Sequence, residues 1–479
     1  MSAEYELTIG LEVHIQLLTR SKAFCADAAS FGAAPNTQVS AISLAHPGTL
    51  PRLNKKAVAH AVTMGLACGC TISRRSTFDR KNYFYPDLPK GYQITQDNTP
   101  ICLGGNIKIR LADGTERTIA LNRIHMEEDA GKLVHESHLP ESWVDLNRAG
   151  MPLIELVTEP NLHSAEEAAV FLAEVRKLVR WLEIGDGNME EGSFRCDANI
   201  SLRPKGDPDL GKKVEIKNMN SFRYVFHAIE AEAKRQSEIL DAGMPVESET
   251  RMFDPDSGQT RSMRSKEAMN DYRYFPDPDL LPLVIDEEWF SQIQATIPAL
   301  PEQLYSRLTG TYNLPAYDAA FLTQDKETAQ YFETLADATG HYKAASNWIM
   351  GPVRSYLNET GSPIRDFPIP PNRLAELIRL VLDGKLNLAT ATQQVFPSLL
   401  AQPDVSAESI ALSLNVFQNS DAEDLTEKIS EILKRMPVEV EAYRKGKKAL
   451  LGLFMGEIKK ATQGTADPKL AARILSELL

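Results

Sequence analysis

Near the start of the chain, Tyr5, Leu7, Ile9, Leu11, Val13, Ile15 and Leu17 are apolar, and every residue between them is polar or glycine. A two-residue period held over that length dictates a β-strand with one buried face. A helix cannot gather these positions on one side. The same period sets Glu12 and His14 side by side on the other face. A carboxylate beside an imidazole on a rigid strand is a common element of metal and acid–base sites. Taken alone, the segment is explained at least as well by an exposed strand face with an incidental ion pair.

A chain of 479 residues is too long for one core, and two to four domains are expected. No apolar run reaches the roughly 18 residues of a membrane span. The acidic start, Met-Ser-Ala-Glu, reads as neither signal nor transit peptide. Cys25, Cys68, Cys70, Cys102 and Cys196 are odd in number and scattered, which points away from a disulfide framework and toward a cytoplasmic location. The net charge of −13 argues against indiscriminate nucleic-acid binding. Locally, residues 444–460 hold six basic residues against one acid, Glu457. That excess suits phosphate contacts, and a solvated helix face explains it equally well.

Residues 1 to about 290 mix short strands with frequent Pro and Gly, and read as α+β with a largely antiparallel sheet. Ser164 and Glu167 form a capping box at the head of an amphipathic run through Leu182, with Gly185 expected as its C-terminal cap. A second helix is expected from Phe222 to Leu240, closed by Gly243. Beyond Pro298-Ala-Leu-Pro301 helical periodicity dominates.

Four constellations could carry chemistry. In Arg123-Ile-His-Met-Glu-Glu-Asp-Ala-Gly-Lys132, the acids Glu127, Glu128 and Asp129 lie between His125 and Lys132. Oxygen-rich clusters suit Mg²⁺, although a solvated acidic loop has the same composition. Glu155 stands inside the apolar run Pro152-Leu-Ile-Glu-Leu-Val157, where a carboxylate is costly unless paired or metal-bound. Glu12, His14, Glu127, Glu128 and Glu155 thus offer hard ligands from three segments, but spacing does not show that they converge. Arg195, Asp197, Asn199, Ser201 and Arg203 alternate with Cys196, Ala198, Ile200 and Leu202, and Glu215 and Lys217 follow the same period. Such polar strand faces suit the floor of a substrate cradle, and also an ordinary half-exposed sheet. Cys196 falls on the apolar side, as core. Finally, Arg80, Lys81 and Lys90 interleave with Tyr83, Phe84, Tyr85 and Tyr92, a composition that suits a nucleotide base and its phosphates, although Tyr and Pro also pack ordinary loops. Asp271-Tyr-Arg-Tyr-Phe-Pro-Asp277 has a similar flavour. Neither a phosphate loop nor a G-x-G-x-x-G fingerprint is present.

Long strings now become diagnostic: Ile9-Gly-Leu-Glu-Val-His14, Phe78-Asp-Arg-Lys-Asn-Tyr-Phe-Tyr-Pro-Asp87, His125-Met-Glu-Glu-Asp-Ala-Gly-Lys132, Pro152-Leu-Ile-Glu155, Arg195-Cys-Asp-Ala-Asn-Ile-Ser201 and Lys217-Asn218. Across essentially its whole length the chain resembles the B-subunit family of tRNA-dependent amidotransferases. The resemblance implies a catalytic cradle over 1–292, a helical domain over 293–406 and a small helical tRNA-binding tail over 407–479. It implies ATP-dependent phosphorylation of the side-chain carboxylate of Glu-tRNA(Gln) or Asp-tRNA(Asn), then amidation by ammonia. A glutaminase A subunit would supply the ammonia, and a small C subunit would link the two. His14, Glu127 and Glu155 match the family's Mg²⁺ positions. Glu12, Glu128, Asp197 and Lys217 are the expected catalytic groups. Arg80, Lys81, Tyr83, Arg195, Asn199 and Ser201 are the expected ATP contacts.

Many members of that family carry a four-cysteine zinc site. Here its positions read Cys25, Asp27, Ser40 and Ser43, so no zinc is expected. The rival functions are a stand-alone ATP-dependent ligase or aminoacyl-tRNA synthetase, and a non-catalytic tRNA-binding scaffold.

Overall fold

The structure, a computed structural model, describes residues 4–135, 141–264, 272–418, 422–462 and 466–479. The alternating segment forms β1 (Tyr5–Gln16), with Ile9, Leu11, Val13 and Ile15 fully buried. Six further long strands join it: β2 (Glu116–Glu128), β3 (Pro152–Thr158), β4 (Phe194–Pro204), β5 (Val214–Met219), β6 (Thr250–Asp254) and β7 (Gln259–Arg264). They lie in one ten-stranded sheet in the order β7-β6-β5-β4-β1-β3-β2, which continues into Cys102–Leu103 and Thr71–Ile72. Asn106–Arg110 also pairs with β2. Neighbours run antiparallel except β5 and β6, whose pairing is parallel.

Three helices build the core against this sheet: α1 (Lys55–Ala67), α2 (Ala165–Trp181) and α3 (Phe222–Asp241). Their first turns are closed by the side chains of Asn54, Ser164 and Ser221, each accepting from backbone N–H groups that lack helical partners. Glu167 reaches back as the capping-box pattern predicts, but accepts from the N–H of His163, one residue before the cap, at 2.7 Å. α3 bridges β5 and β6, as a parallel pair requires a crossover. Val58 and Ala61 of α1, Phe171, Leu172 and Val175 of α2, and Val225 and Ile229 of α3 share one cluster with the buried residues of β1. Each large apolar side chain contributes roughly 2 kcal/mol by leaving water. A one-residue slip of β1 would expose the whole row, so its register is fixed, and with it the direction of Glu12 and His14.

Gly243 closes α3 with φ +72°, as its position predicts. Gly185 does not close α2. Glu183 takes the left-handed conformation there, at φ +56°. Gly185 is small for another reason: a Cβ on it would stand 2.7 Å from Val179 Cγ1 and 3.0 Å from the carbonyl oxygen of Gln16.

The chain divides into two compact units, Met1–Glu302 and Gln303–Leu479. Every named element of the second among the described residues is a helix. Within it, Lys326–Thr339 packs on Pro371–Leu382, which also contacts Ala407–Ser413. Leu425, Ile429, Phe454, Ile458, Ala471 and Leu475 form a separate apolar cluster drawn wholly from the last 55 or so residues. The chain is therefore a mixed α+β protein with one large sheet and many helices. No helix among the described residues is long and apolar enough to cross a membrane.

Candidate functional site

The sheet face opposite the core carries the even residues of β1. Strand pairing arranges them into rungs. His14 stands opposite Arg195 of β4 and Glu155 of β3, and Glu155 stands opposite His125 of β2. Glu12 stands opposite Asp197 in the next rung, and Glu127 follows His125 by two residues on the same face of β2.

His14 Nε2 lies 3.4 Å from Glu155 Oε2 and 3.6 Å from Glu127 Oε1. His125 Nε2 lies 3.3 Å from the same Glu155 Oε2. Ligand-capable atoms of His14, Glu127 and Glu155 all fall within 4.8 Å of one another. Glu127 is buried, while His14 and Glu155 keep a small exposed edge.

The electrostatics follow from crowding. Burial and the charge of Glu155 push the Glu127 carboxyl up. Burial opposes the charge of Glu155 too, but the two histidines outweigh it and hold Glu155 well below the usual carboxylate range. Burial works against a charged His14, yet the hydrogen bond and charge of Glu155, with the charge of Glu127, raise it to about 9. Two carboxylates this close need a positive charge between them.

A second group, Glu12, Asp197 and Glu215, lies alongside with ligand atoms equally close. It already holds a cation of the chain's own. Lys217 Nζ sits 2.7 Å from Asp197 and 3.0 Å from Glu215, and Asn199 Nδ2 donates to Glu12 at 2.9 Å. Asn199 Oδ1 is buried with no hydrogen-bond partner among the described residues. A β-bulge aims Lys217: the β4–β5 register shifts by one beside Asp197, and Asn218 takes φ +62°.

Lys81 has no carboxylate within ion-pair distance among the described residues. Its ammonium lies 4.8 Å from the centre of the Tyr272 ring. Burial opposes its charge, but Glu127 is the largest of several influences that hold it raised. Tyr83 meets Tyr272 edge-on at 6.1 Å.

Other expected site residues have partners or positions of their own. Glu128 follows Glu127 directly, so it faces the opposite side of β2, where it pairs with Lys90 and accepts the Ile94 N–H at 3.0 Å. Arg80 is held by Asp277 at 2.7 Å and Asp279 at 2.8 Å. Arg195 grips Asp129 with two hydrogen bonds, at 2.8 and 3.1 Å. Ser201 pairs with Thr8, three rungs or about 20 Å along the sheet from His14. Cys196 is buried in the core, where burial pushes its thiol up. Asp271 lies outside the described residues.

Cys25, Asp27, Ser40 and Ser43 do come together. Cys25 Sγ is 3.4 Å from Ser43 Oγ, and Asp27 accepts from the Ser43 hydroxyl and, at 2.9 Å, from the Ser40 N–H. That cluster offers one thiol and one carboxylate.

In the sequence, His125 and Asp129 stand in the oxygen-rich cluster of residues 123–132 without a role of their own. The signal for His125 was available, because it shares the period of Glu127.

Known proteins resemble the chain along nearly its whole length. Residues 7–291 match the family described as the GatB/GatE catalytic domain, and residues 330–479 match the GatB domain. A protein of Thermodesulfovibrio yellowstonii, named as the B subunit of an aspartyl/glutamyl-tRNA(Asn/Gln) amidotransferase, is 46% identical over 476 residues, covering 99% of each chain. Proteins of the same name from Ralstonia nicotianae and Pelodictyon phaeoclathratiforme are each 48% identical, covering 99% and 98% of this chain and the same shares of their own. The chain belongs to the family of aspartyl/glutamyl-tRNA(Asn/Gln) amidotransferase B subunits.

Proposed function

We propose that this chain is the kinase and transamidase subunit of a glutamine-hydrolysing, tRNA-dependent amidotransferase. A side-chain carboxylate oxygen of Glu-tRNA(Gln) or Asp-tRNA(Asn) attacks the γ-phosphorus of ATP, and ADP leaves. Ammonia then attacks the acyl carbon, and phosphate departs with the transferred oxygen. The first step is needed because oxide is a poor leaving group and phosphate is a good one. The observation that carries this reading is the meeting of His14, Glu127 and Glu155 from three adjacent strands.

The donor set fits a hard divalent cation. Two carboxylates and one imidazole leave positions for water and phosphate oxygens, as Mg²⁺ prefers. When bound, Mg²⁺ neutralises charge on the phosphates. The charge balance also calls for it. Glu12, Glu127, Glu155, Asp197 and Glu215 outweigh Lys81 and Lys217 on this face, so a triphosphate would otherwise be repelled.

The chain's own residues do the rest. Lys81 meets phosphate oxygens. Tyr83 and Tyr272 form the adjacent aromatic wall. Lys217, Asp197, Asn199 and Glu12 form the floor on which the carboxylate is oriented. Arg80, Glu128 and Arg195, each bound to an opposite charge, hold the walls. The tRNA body is gripped by the C-terminal helices through backbone and shape. That tail is better drawn from Ala422, because Ala407–Ser413 packs on the preceding helices. Ammonia comes from a glutaminase A subunit, with a small C subunit joining the complex, in the cytoplasm.

The test supplies Glu-tRNA(Gln) or Asp-tRNA(Asn), ATP-Mg²⁺ and ammonium chloride to the chain with its partner subunits. Formation of Gln- or Asn-tRNA without glutamine is expected. Charging of free amino acid instead would identify a stand-alone ligase, and tRNA binding without turnover would identify a scaffold.

A further inference from the structure

His125 is buried on β2 beside Glu155, and both of its ring nitrogens are engaged. Arg123 Nε donates to Nδ1 at 3.3 Å. A guanidinium has no acceptor, so Nδ1 must present its lone pair. The ring proton therefore falls on Nε2, an assignment read from hydrogen-bond directions. Nε2 lies 3.3 Å from Glu155 Oε2, while His14 Nε2 approaches that oxygen from the other neighbouring strand at 3.4 Å. Oε2 is thus held from both sides within one rung, and Oε1 has no protein partner among the described residues.

We propose that His125, with its tautomer set by Arg123, is a positioning residue that fixes the Glu155 carboxylate so that it presents a ready oxygen to the divalent cation. This rests on the cation reading above. Glu155 lies in a strand, so its backbone is already rigid. The remaining freedom is rotation of the side chain, which the His125 hydrogen bond removes. Partners of metal-binding carboxylates typically change metal affinity by about 10–100-fold. A simpler role, neutral packing around a buried carboxylate, would affect stability without a specific effect on cation affinity.

The experiment titrates Mn²⁺ into the purified full chain and follows free ion by electron paramagnetic resonance. Wild type is expected to show a site that Glu155→Gln abolishes. His125→Leu should weaken it at least tenfold. His125→Gln, whose amide N–H can stand where Nε2–H stands, should recover affinity to within about threefold. Arg123→Met frees the ring to take its other tautomer and should weaken binding several-fold. If wild type takes up no Mn²⁺, the cation site and this inference both fall. If Glu155→Gln abolishes binding while His125→Leu and Arg123→Met bind like wild type, only the inference falls. Equal loss in His125→Leu and His125→Gln also overturns it. Should His125→Leu not fold, Arg123→Met decides, with wild-type affinity counting against the proposal.

Discussion

His14 on β1 and Glu155 on β3 face each other across one strand pair, with Nε2 3.4 Å from Oε2. Backbone hydrogen bonds on both edges of β1 set that spacing, so neither side chain depends on a loop for its place. Removing a member of this group should therefore damage chemistry more than fold. Glu127→Ala and His14→Ala are expected to slow tRNA-dependent ADP release by about a thousandfold or more, as loss of a metal or charge-stabilising group does. Filter binding should show tRNA affinity within about twofold of wild type. Unchanged ATP turnover in both variants would count against the assignment.

The bulge at Asn218 makes a separate prediction. Left-handed backbone costs an ordinary residue roughly 1–2 kcal/mol, more if it is β-branched, and nothing for glycine. Asn218→Gly should retain activity, because Lys217 keeps its reach to Asp197 and Glu215. Asn218→Val should lower both the unfolding free energy, by about 1–2 kcal/mol, and the phosphorylation rate. Equal behaviour of the two variants in urea unfolding and turnover would remove the bulge from the account.

These two sites differ in how far they were legible beforehand. The period of residues 5–17 fixes a strand and its buried face without further knowledge. It cannot say which strands lie beside β1, so the meeting of His14 with Glu127 and Glu155 rested on family resemblance until register supplied it. Composition alone groups Glu128 with Glu127 in one oxygen-rich cluster, because no alternation marks residues 123–132 as a strand. Read as a strand, the same two-residue period separates them. The pairing of Arg80 with Asp277 and Asp279 is not legible in the sequence, because those partners lie far off along the chain. Gly185 looked like a cap because its close approach to Gln16 is a tertiary fact.

His60 on α1 gives the pH dependence. It is buried, and burial followed by the charge of Lys56 lowers its pKa to about 4, while Nε2 contacts the Leu18 carbonyl at 3.1 Å. The unfolded chain therefore binds a proton near pH 6.5 that the folded chain refuses. Stability from this group is full above 6.5 and is lost as pH falls toward 4. Between pH 7 and 5 the loss should be about 2 kcal/mol. Urea unfolding of wild type against His60→Gln should show that difference, with the variant the flatter of the two.

The C-terminal helices have an apolar cluster of their own, built from residues between Leu425 and Leu475. Ending the chain at Gln418 should leave the sheet unit folded by circular dichroism. Affinity for tRNA should fall at least tenfold, and its salt dependence should flatten as phosphate contacts at residues 444–460 are lost. Full affinity in the truncated chain would place the tRNA grip elsewhere.

The location of the cation is the centre of the account, and anomalous diffraction from crystals soaked in Mn²⁺ tests it directly. The predicted result is a peak about 2.0–2.3 Å from His14 Nε2 and from carboxylate oxygens of Glu127 and Glu155. A peak confined to Glu12, Asp197 and Glu215, or no peak on this face of the sheet, would contradict it.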